Sequence, residues 1–157
     1  MTTPAAAVAR QPSICASASA VTAGDTSGVE RRLISSGSPY EPVVGYSRAV
    51  RVGDRVFVAG CAPIMADGSD PPTDSYGQTR RCLEIIEGAL GEAGGSLADV
   101  VRTRVYLTPE ADFAEFGRAH GEAFSEIRPA NTTVIVAALV DQRWLLEIEA
   151  EAVLAHE

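Results

Sequence analysis

Three glutamates near the C-terminal end of the sequence have the type and spacing to do acid–base chemistry. Glu147, Glu149 and Glu151 are separated by single apolar residues within the segment 146–153. Successive side chains of a β-strand point to opposite faces, so the three carboxylates share one face of a predicted strand. A carboxylate in a partly dry cleft has a raised pKa and can accept a proton and then return it. The same spacing is also typical of a solvated acidic strand face, and both interpretations stay open.

A polar loop and a second strand precede the acidic strand. Pro129 cannot donate a ladder hydrogen bond and favours an extended Arg128, so a strand begins only after it. The β-branched residues of segment 132–136 predict that strand. A loop that opens one strand, followed by a strand with carboxylates on one face, is suited to placing polar groups around a cleft.

The motifs around these two strands resemble the RidA/YjgF family. Arg-Pro-Ala-Asn-Thr-Thr-Val at 128–134, followed by Glu-Ile-Glu-Ala at 147–150, is similar to the C-terminal signature of that family. The resemblance covers about residues 33–155 in order, through further matches at 45–50, 56–60, 78–80 and 99–103. It implies an α+β, chorismate-mutase-like (YjgF-like) single domain with a mixed sheet and two helices on one face. It also implies a homotrimer with clefts between subunits, and hydrolysis of reactive imines and enamines with release of ammonia.

The resemblance also implies a set of cleft residues. Glu149 takes the place of the glutamate that positions the attacking water, and Tyr46 that of an aromatic residue lining the cleft. A tyrosine at the start of a strand also packs well for its own sake, so a core role for Tyr46 stays open. Gly60 matches a glycine whose backbone faces the ligand, and Cys61 follows where many relatives carry glutamine. A nucleophilic Cys61 would need a nearby base, and the sequence indicates no Cys–His pairing.

One position departs from the pattern of the characterised deaminases. Where they carry an arginine that grips the substrate carboxylate, this sequence has Asn131. Arginine offers a charged bidentate fork and asparagine a neutral amide, a difference on the order of 1–2 kcal/mol per hydrogen bond. We therefore expect altered substrate specificity. Arg104 is a possible substitute, whereas Arg128 falls on the opposite face of an extended chain; either is also an ordinary candidate for a surface salt bridge.

Three further polar residues are predicted to contact a small-molecule substrate or ligand. Thr132 and Thr133 can donate hydrogen bonds from the strand, and His120 lies on a predicted helix where relatives tend to carry tyrosine. His120 also fits a half-buried helix position. With two histidines in the chain, a histidine metal centre is not expected, and we predict no metal and no other cofactor.

The elements that must position these residues follow from hydrophobic periodicity and turn residues. The predicted order is strand, strand, helix, strand, helix, strand, strand. The predicted segments are a loop at 36–44, strands at 46–52 and 55–59 joined by Gly53-Asp54, a helix capped by Thr73 or Asp74 and ended by Gly94-Gly95, a strand at 100–107, and a helix starting at Thr108-Pro109. Two helices cannot cover both faces of a five- or six-stranded sheet, which predicts self-association.

Composition limits the class of protein. The chain of 157 residues is 46% hydrophobic, which fits one domain at 31–157 after a disordered N-terminal extension at 1–30 rich in Ala, Ser and Thr. A net charge of −8 argues against a nucleic-acid partner, and no apolar run is long enough to span a membrane. Three cysteines without metal-ligand spacing fit a reducing cytoplasm.

The sequence leaves three functions open. The leading hypothesis is a Rid-type hydrolase, that is, a deaminase of imine or enamine intermediates with altered specificity. The alternatives are a non-catalytic trimer that binds a small metabolite, and a dedicated biosynthetic enzyme on the same scaffold.

Overall fold

The computed structural model describes residues 30–155. The predicted N-terminal extension therefore lies outside the described residues, apart from Glu30. The elements in chain order are β1 (Arg31–Ile34), α1 (Tyr40–Val44), β2 (Ala49–Val52), β3 (Arg55–Cys61), α2 (Ser75–Ala93), a 3-10 turn (Leu97–Asp99), β4 (Val100–Leu107), α3 (Phe113–Phe124), β5 (Ala130–Ile135) and β6 (Leu146–Val153).

The six strands form one mixed sheet in the order β1-β2-β3-β6-β4-β5. All neighbouring strands are antiparallel except β4 and β5, which are parallel. The predicted mixed sheet is thus confirmed. Because β4 lies between β6 and β5, the alternation of its side chains determines which residues of both neighbours share a face.

The hairpin of β2 and β3 contains two glycines that shape its backbone, Gly53 in the turn and Gly60 near the end of β3. Gly53 has φ 62°, a left-handed conformation that favours glycine, and makes the predicted turn. β3 runs two residues further than expected. Its register against β6 shifts between Val58 and Cys61, which is a β-bulge that re-aims the backbone around Gly60.

The helix α2 begins and ends where the sequence predicts. The Asp74 side chain accepts a 2.7 Å hydrogen bond from the backbone N–H of Gly77, as an N-cap should. Gly94 has φ 91° and ends the helix in the left-handed conformation. None of the helices within residues 30–155 combines the length and apolar character needed to cross a membrane.

The start of α3 was predicted wrongly. The helix begins at Phe113, not at Thr108-Pro109. The backbone N–H of Thr108 donates to the carbonyl of Leu145 at 2.8 Å, which holds this segment in an extended path beside β6. Asp112 then supplies the N-cap by accepting two backbone N–H groups of the first helical turn.

The predicted loop at 36–44 contains the short helix α1, which also delays the start of β2. The buried carboxylate of Glu41 accepts hydrogen bonds from the backbone N–H and the hydroxyl of Ser36, at 2.8 and 2.7 Å. The N–H of Tyr46 donates to the Glu41 carbonyl at 3.1 Å. Tyr46 is therefore tied to α1, and β2 begins only at Ala49.

The two long helices lie on one face of the sheet, as predicted. Their apolar sides and the inward residues of the strands form one core, which includes Ile86, Leu90, Val105, Phe116 and Ile148. Neither α2 nor α3 lies over the opposite face, and we call it the open face. Apolar side chains remain exposed there, including Leu33 (60%), Phe57 (44%), Val134 (44%) and Val153 (40%).

Candidate functional site

The predicted site residues fall on two different faces of the sheet within one chain. In β4, Thr103 points towards the helices and is fully buried, whereas Arg104 is on the open face. Thr103 pairs with Asn131, and Arg104 pairs with Thr132 and with Glu149. Asn131, Thr133 and His120 therefore belong to the helix side. Glu149, Arg104 and Thr132 belong to the open face, and one chain does not bring Asn131 and Glu149 together.

On the open face, Glu149 is held in an ion pair. Its Oε1 accepts hydrogen bonds from Nη1 of Arg104 at 2.8 Å and from the hydroxyl of Tyr106 at 3.2 Å. Nη2 of Arg104 is 2.9 Å from Glu151. The hydrogen bond that Arg104 donates to Glu149 raises the pKa of Arg104, and burial raises the pKa of Tyr106. Arg104 thus forms salt bridges with Glu149 and Glu151 of the adjacent strand β6, in line with the salt-bridge interpretation of this residue.

Glu147 has a different environment on the same face. Its pKa is raised, chiefly because burial removes water from the carboxylate; the Arg48 guanidinium opposes this effect and Glu149 adds to it. The carboxylate lies directly over Gly60, at the β-bulge. A methyl group at Gly60 would overlap Oε1 of Glu147, so glycine is the residue that allows this close approach.

Arg48 completes the surroundings of Gly60 and Cys61. Its Nη1 donates to the Gly60 carbonyl at 2.7 Å and contacts Sγ of Cys61 at 3.2 Å. Its Nε is buried and makes no hydrogen bond within residues 30–155. The Cys61 thiol donates to the carbonyl of Ala59, and burial raises its pKa to about 11. Cys61 is therefore a protonated thiol at neutral pH, not a nucleophile.

A groove on the open face contains Tyr46 and Glu149 together. It has a volume of about 740 Å³ and opens to solvent. Leu33, Val50 and Phe57 form its apolar wall. Tyr46 is half-buried, and its hydroxyl lies 3.5 Å from that of Ser38. The groove can take a small organic molecule whose polar end meets Glu149, the glutamate of β6 that lines it.

On the helix side, the hydrogen bonds join four polar side chains. Nδ2 of Asn131 donates to Oγ1 of Thr103 at 3.0 Å, and Thr133 donates to Oδ1 of Asn131 at 2.9 Å. Thr103 is in turn 3.0 Å from Nε2 of His120. The His120 ring lies between two phenylalanine rings of α3, with centroids 5.4 and 4.7 Å away, and burial lowers its pKa.

Sequence reasoning did not single out Glu147, Arg48 or Thr103. Glu147 was seen as part of the acidic row, but its closeness to Gly60 depends on a bulge between β3 and β6 that no local pattern shows. Thr103 looks like any β-branched strand residue. Within the described part of the chain, no group of three or more His, Cys, Asp or Glu side chains is arranged to hold a metal ion.

Comparisons with known proteins agree with this architecture. The chain matches a family model described as Endoribonuclease L-PSP over residues 37–154. An uncharacterized protein of Streptomyces coelicolor is 40% identical over 121 residues, which are 77% of this chain and 90% of the relative. A 3-aminoacrylate deaminase, RutC, of Acinetobacter baylyi is 34% identical over 121 residues, which are 76% of this chain and 94% of the relative.

Solved structures with the same fold include two informative neighbours. A Mycobacterium tuberculosis protein described as a member of the YjgF/YER057c/UK114 family is 47% identical, with a TM-score of 0.72 over 80% of this chain and 100% of that one. TdcF of E. coli, solved with bound serine, is 30% identical, with a TM-score of 0.67 over 79% of this chain and 94% of that one. The chain therefore belongs to the RidA/YjgF family.

Proposed function

We propose that this protein is a hydrolytic deaminase of reactive imines or enamines, with a substrate specificity altered by Asn131. The observation that carries the proposal is the desolvated carboxylate of Glu147 over Gly60, because a proton relay at neutral pH needs a carboxyl group whose pKa is raised. The name of the related 3-aminoacrylate deaminase supports the same class of reaction.

Glu147 fits the role of proton relay better than Glu149, the residue that the sequence predicts for it. Two donors, Arg104 and Tyr106, occupy one oxygen of Glu149 and hold that carboxylate as an acceptor. No ion pair or side-chain hydrogen bond engages Glu147 within residues 30–155, and its pKa is raised by burial. We assign the relay to Glu147 and keep Glu149 as a cleft residue that Arg104 orients.

The reaction needs one relay and a positioned water molecule. Glu147 takes a proton from water while the oxygen bonds to the imine carbon and the π electrons of the C=N bond move to nitrogen. Glu147 then returns this proton to the nitrogen. The resulting carbinolamine forms a C=O bond as its C–N bond breaks and ammonia leaves. Glu147 carries the hydroxyl proton to the departing nitrogen. The balance is imine plus water giving carbonyl compound plus ammonia, and an enamine enters after protonation at carbon.

The remaining predicted residues provide binding rather than proton transfer. Tyr46 and the apolar wall of the groove hold the body of the substrate. The reacting end is assigned to Glu147, which contacts the Gly60 backbone. Cys61 fills the core beneath Gly60. Thr132 is exposed on the open face of the edge strand, where it can meet a substrate between two subunits. The proposed compartment is the cytoplasm, since Cys61 and Cys82 are free thiols.

The proposed working form is a homotrimer. Exposed apolar side chains on the open face, such as Phe57 and Leu33, need a covering layer, and a second copy of the chain supplies one. A trimer also allows Asn131 of one subunit to approach Glu147 of another, although the two lie on opposite faces of one chain. Light scattering should give about 49 kDa, three times the 16.4 kDa chain. A mass of one chain contradicts the inter-subunit cleft.

The activity is tested by release of ammonia from imines generated by an amino-acid oxidase. We expect the wild-type protein to accelerate release from at least one imine of a panel of varied side chains. Glu147→Gln should lower the rate by about 10²–10⁴-fold, the usual contribution of a general acid–base group. Glu149→Gln is the matched control and should lose less. An equal rate for Glu147→Gln and the wild type refutes the assignment.

A second candidate is a trimer that binds a metabolite without turning it over. It is favoured by the neighbour solved with bound serine, since a small molecule occupies a protein of this fold there. The discriminating measurement is a rise in Tm with ligands of the panel in the absence of ammonia release.

A further inference from the structure

The hydrogen bonds around Asn131 orient its amide with Nδ2 towards Thr103 and Oδ1 towards Thr133. Oγ1 of Thr103 accepts a hydrogen bond from Nδ2 of Asn131, so the single hydroxyl hydrogen of Thr103 is available for Nε2 of His120. His120 can accept it only as a neutral imidazole with its hydrogen on Nδ1. The two flanking phenylalanine rings favour that neutral form, and burial lowers the pKa of His120 in the same direction.

The other end of the network is exposed on the edge strand. Thr133 donates its hydroxyl hydrogen to Oδ1 of Asn131, which leaves the lone pairs of Thr133 Oγ1 directed away from the amide. The second N–H of Asn131 makes no hydrogen bond within residues 30–155. Asn131 and Thr133 therefore present one neutral donor and one acceptor side by side on β5.

This pair is complementary to a group that both accepts and donates. The oxygen of a primary carboxamide can accept the Asn131 N–H while its nitrogen donates to Thr133. A carboxylate only accepts hydrogen bonds, so it would face the lone pairs of Thr133 and find a neutral donor in place of a cation.

We propose that Asn131 and Thr133 select substrates that carry a neutral carboxamide in place of a carboxylate, with Thr103 and His120 as positioning residues. This inference rests on the proposed function only in taking the edge of β5 as one wall of the substrate cleft. With Nδ2 bonded to Thr103, the amide offers one N–H and not two. Turning it would set Oδ1 against Thr103 and require His120 to donate from Nε2.

The test compares pyruvamide with pyruvate, which are the carbonyl products of two matched imines. Calorimetric titration of the full-length wild-type protein should give tighter binding of pyruvamide by about tenfold, the value of one net hydrogen bond. Thr133→Val should abolish the preference and Thr133→Ser should keep it. Asn131→Arg should reverse the preference towards pyruvate, and Thr73→Val, at an exposed hydroxyl of the loop before α2, should leave it unchanged.

The positioning residues have their own readout. Long-range ¹H–¹⁵N spectra should show His120 with its hydrogen on Nδ1. Thr103→Val should reduce the preference for pyruvamide and change the His120 tautomer signals, whereas Thr103→Ser should restore both. These measurements need no turnover, so they are decided separately from ammonia release. Equal binding of the two compounds, binding of neither, or a preference that survives Thr133→Val overturns the inference.

Discussion

Replacing Gly60 by alanine tests the contact between the β-bulge and Glu147 while leaving every proposed reacting group in place. A Cβ at this position would overlap Oε1 of Glu147 and lie 3.0 Å from its Cδ and 3.3 Å from its Cγ. The outer atoms of Glu147 must therefore move. The clash is with the end of a flexible side chain and the φ of Gly60 is not left-handed, so the backbone can stay where it is.

The expected effects on stability and on rate differ in size. A displaced rotamer of Glu147 costs about 0.5–1.5 kcal/mol, and the lower entropy of the unfolded chain returns about 0.4–1 kcal/mol. The free energy of unfolding of Gly60→Ala should thus stay within about 1 kcal/mol of the wild type. A catalytic group moved by roughly 1 Å loses about 10²-fold in rate. Ammonia release should fall by that factor, with the acidic limb of the pH profile moved to lower pH as Glu147 regains water.

A matched control and a double variant make this prediction refutable. Gly88 lies in the middle of α2, where an added Cβ meets nothing within 4 Å, so Gly88→Ala should stabilise the helix and leave the rate unchanged. Because Gly60→Ala and Glu147→Gln act on the same carboxylate, the double variant should be no slower than Glu147→Gln alone. If the two losses multiply, Gly60 does not act through Glu147 and the reasoning is wrong.

Two further predictions concern stability and assembly. Because the pKa of Glu147 is raised in the folded protein, its stabilising contribution is complete below the pKa of an ordinary glutamate and is lost as pH rises through the raised value. Glu147→Gln should therefore raise Tm at neutral pH and match the wild type in acid. A lower Tm of Glu147→Gln at neutral pH contradicts the proposed desolvation. Phe57→Glu places a charge in the exposed apolar part of the open face, so light scattering should show a single chain in place of the proposed trimer. The control Glu87→Lys, on the exposed side of α2, should remain a trimer. If Phe57→Glu also remains a trimer, the proposed interface is wrong.

Much of the fold follows from local patterns in the sequence. The alternation in β6, the Gly53-Asp54 turn and the Asp74 and Gly94 caps of α2 are all decided by residues within a few positions of one another, and all are confirmed. The misplaced start of α3 has a long-range cause. Proline at a first helical turn is a good local signal, but the hydrogen bond from Thr108 to Leu145 outweighs it.

Less of the site can be predicted from the sequence, because its geometry depends on the register between neighbouring strands. The alternating glutamates are visible in the sequence, and so is the departure at Asn131. Which glutamate lacks water is decided by the bulge at Gly60 and by Arg104, which pairs with Glu149 from the adjacent strand. In the sequence, Asn131 shows only that a cationic side chain is missing at this position. Its link to His120 through Thr103 depends on the parallel pairing of β4 and β5.

The most direct test of the account is a ¹³C-detected NMR titration of the Glu147 carboxyl group in the wild-type protein, with Glu147→Gln used to assign its signal. The account predicts a midpoint clearly above the value of about 4.3 of an ordinary glutamate, and a shift towards that value in Gly60→Ala. A wild-type midpoint at or below the ordinary value would mean that Glu147 is a solvated surface acid, and the proposed proton relay would have no base.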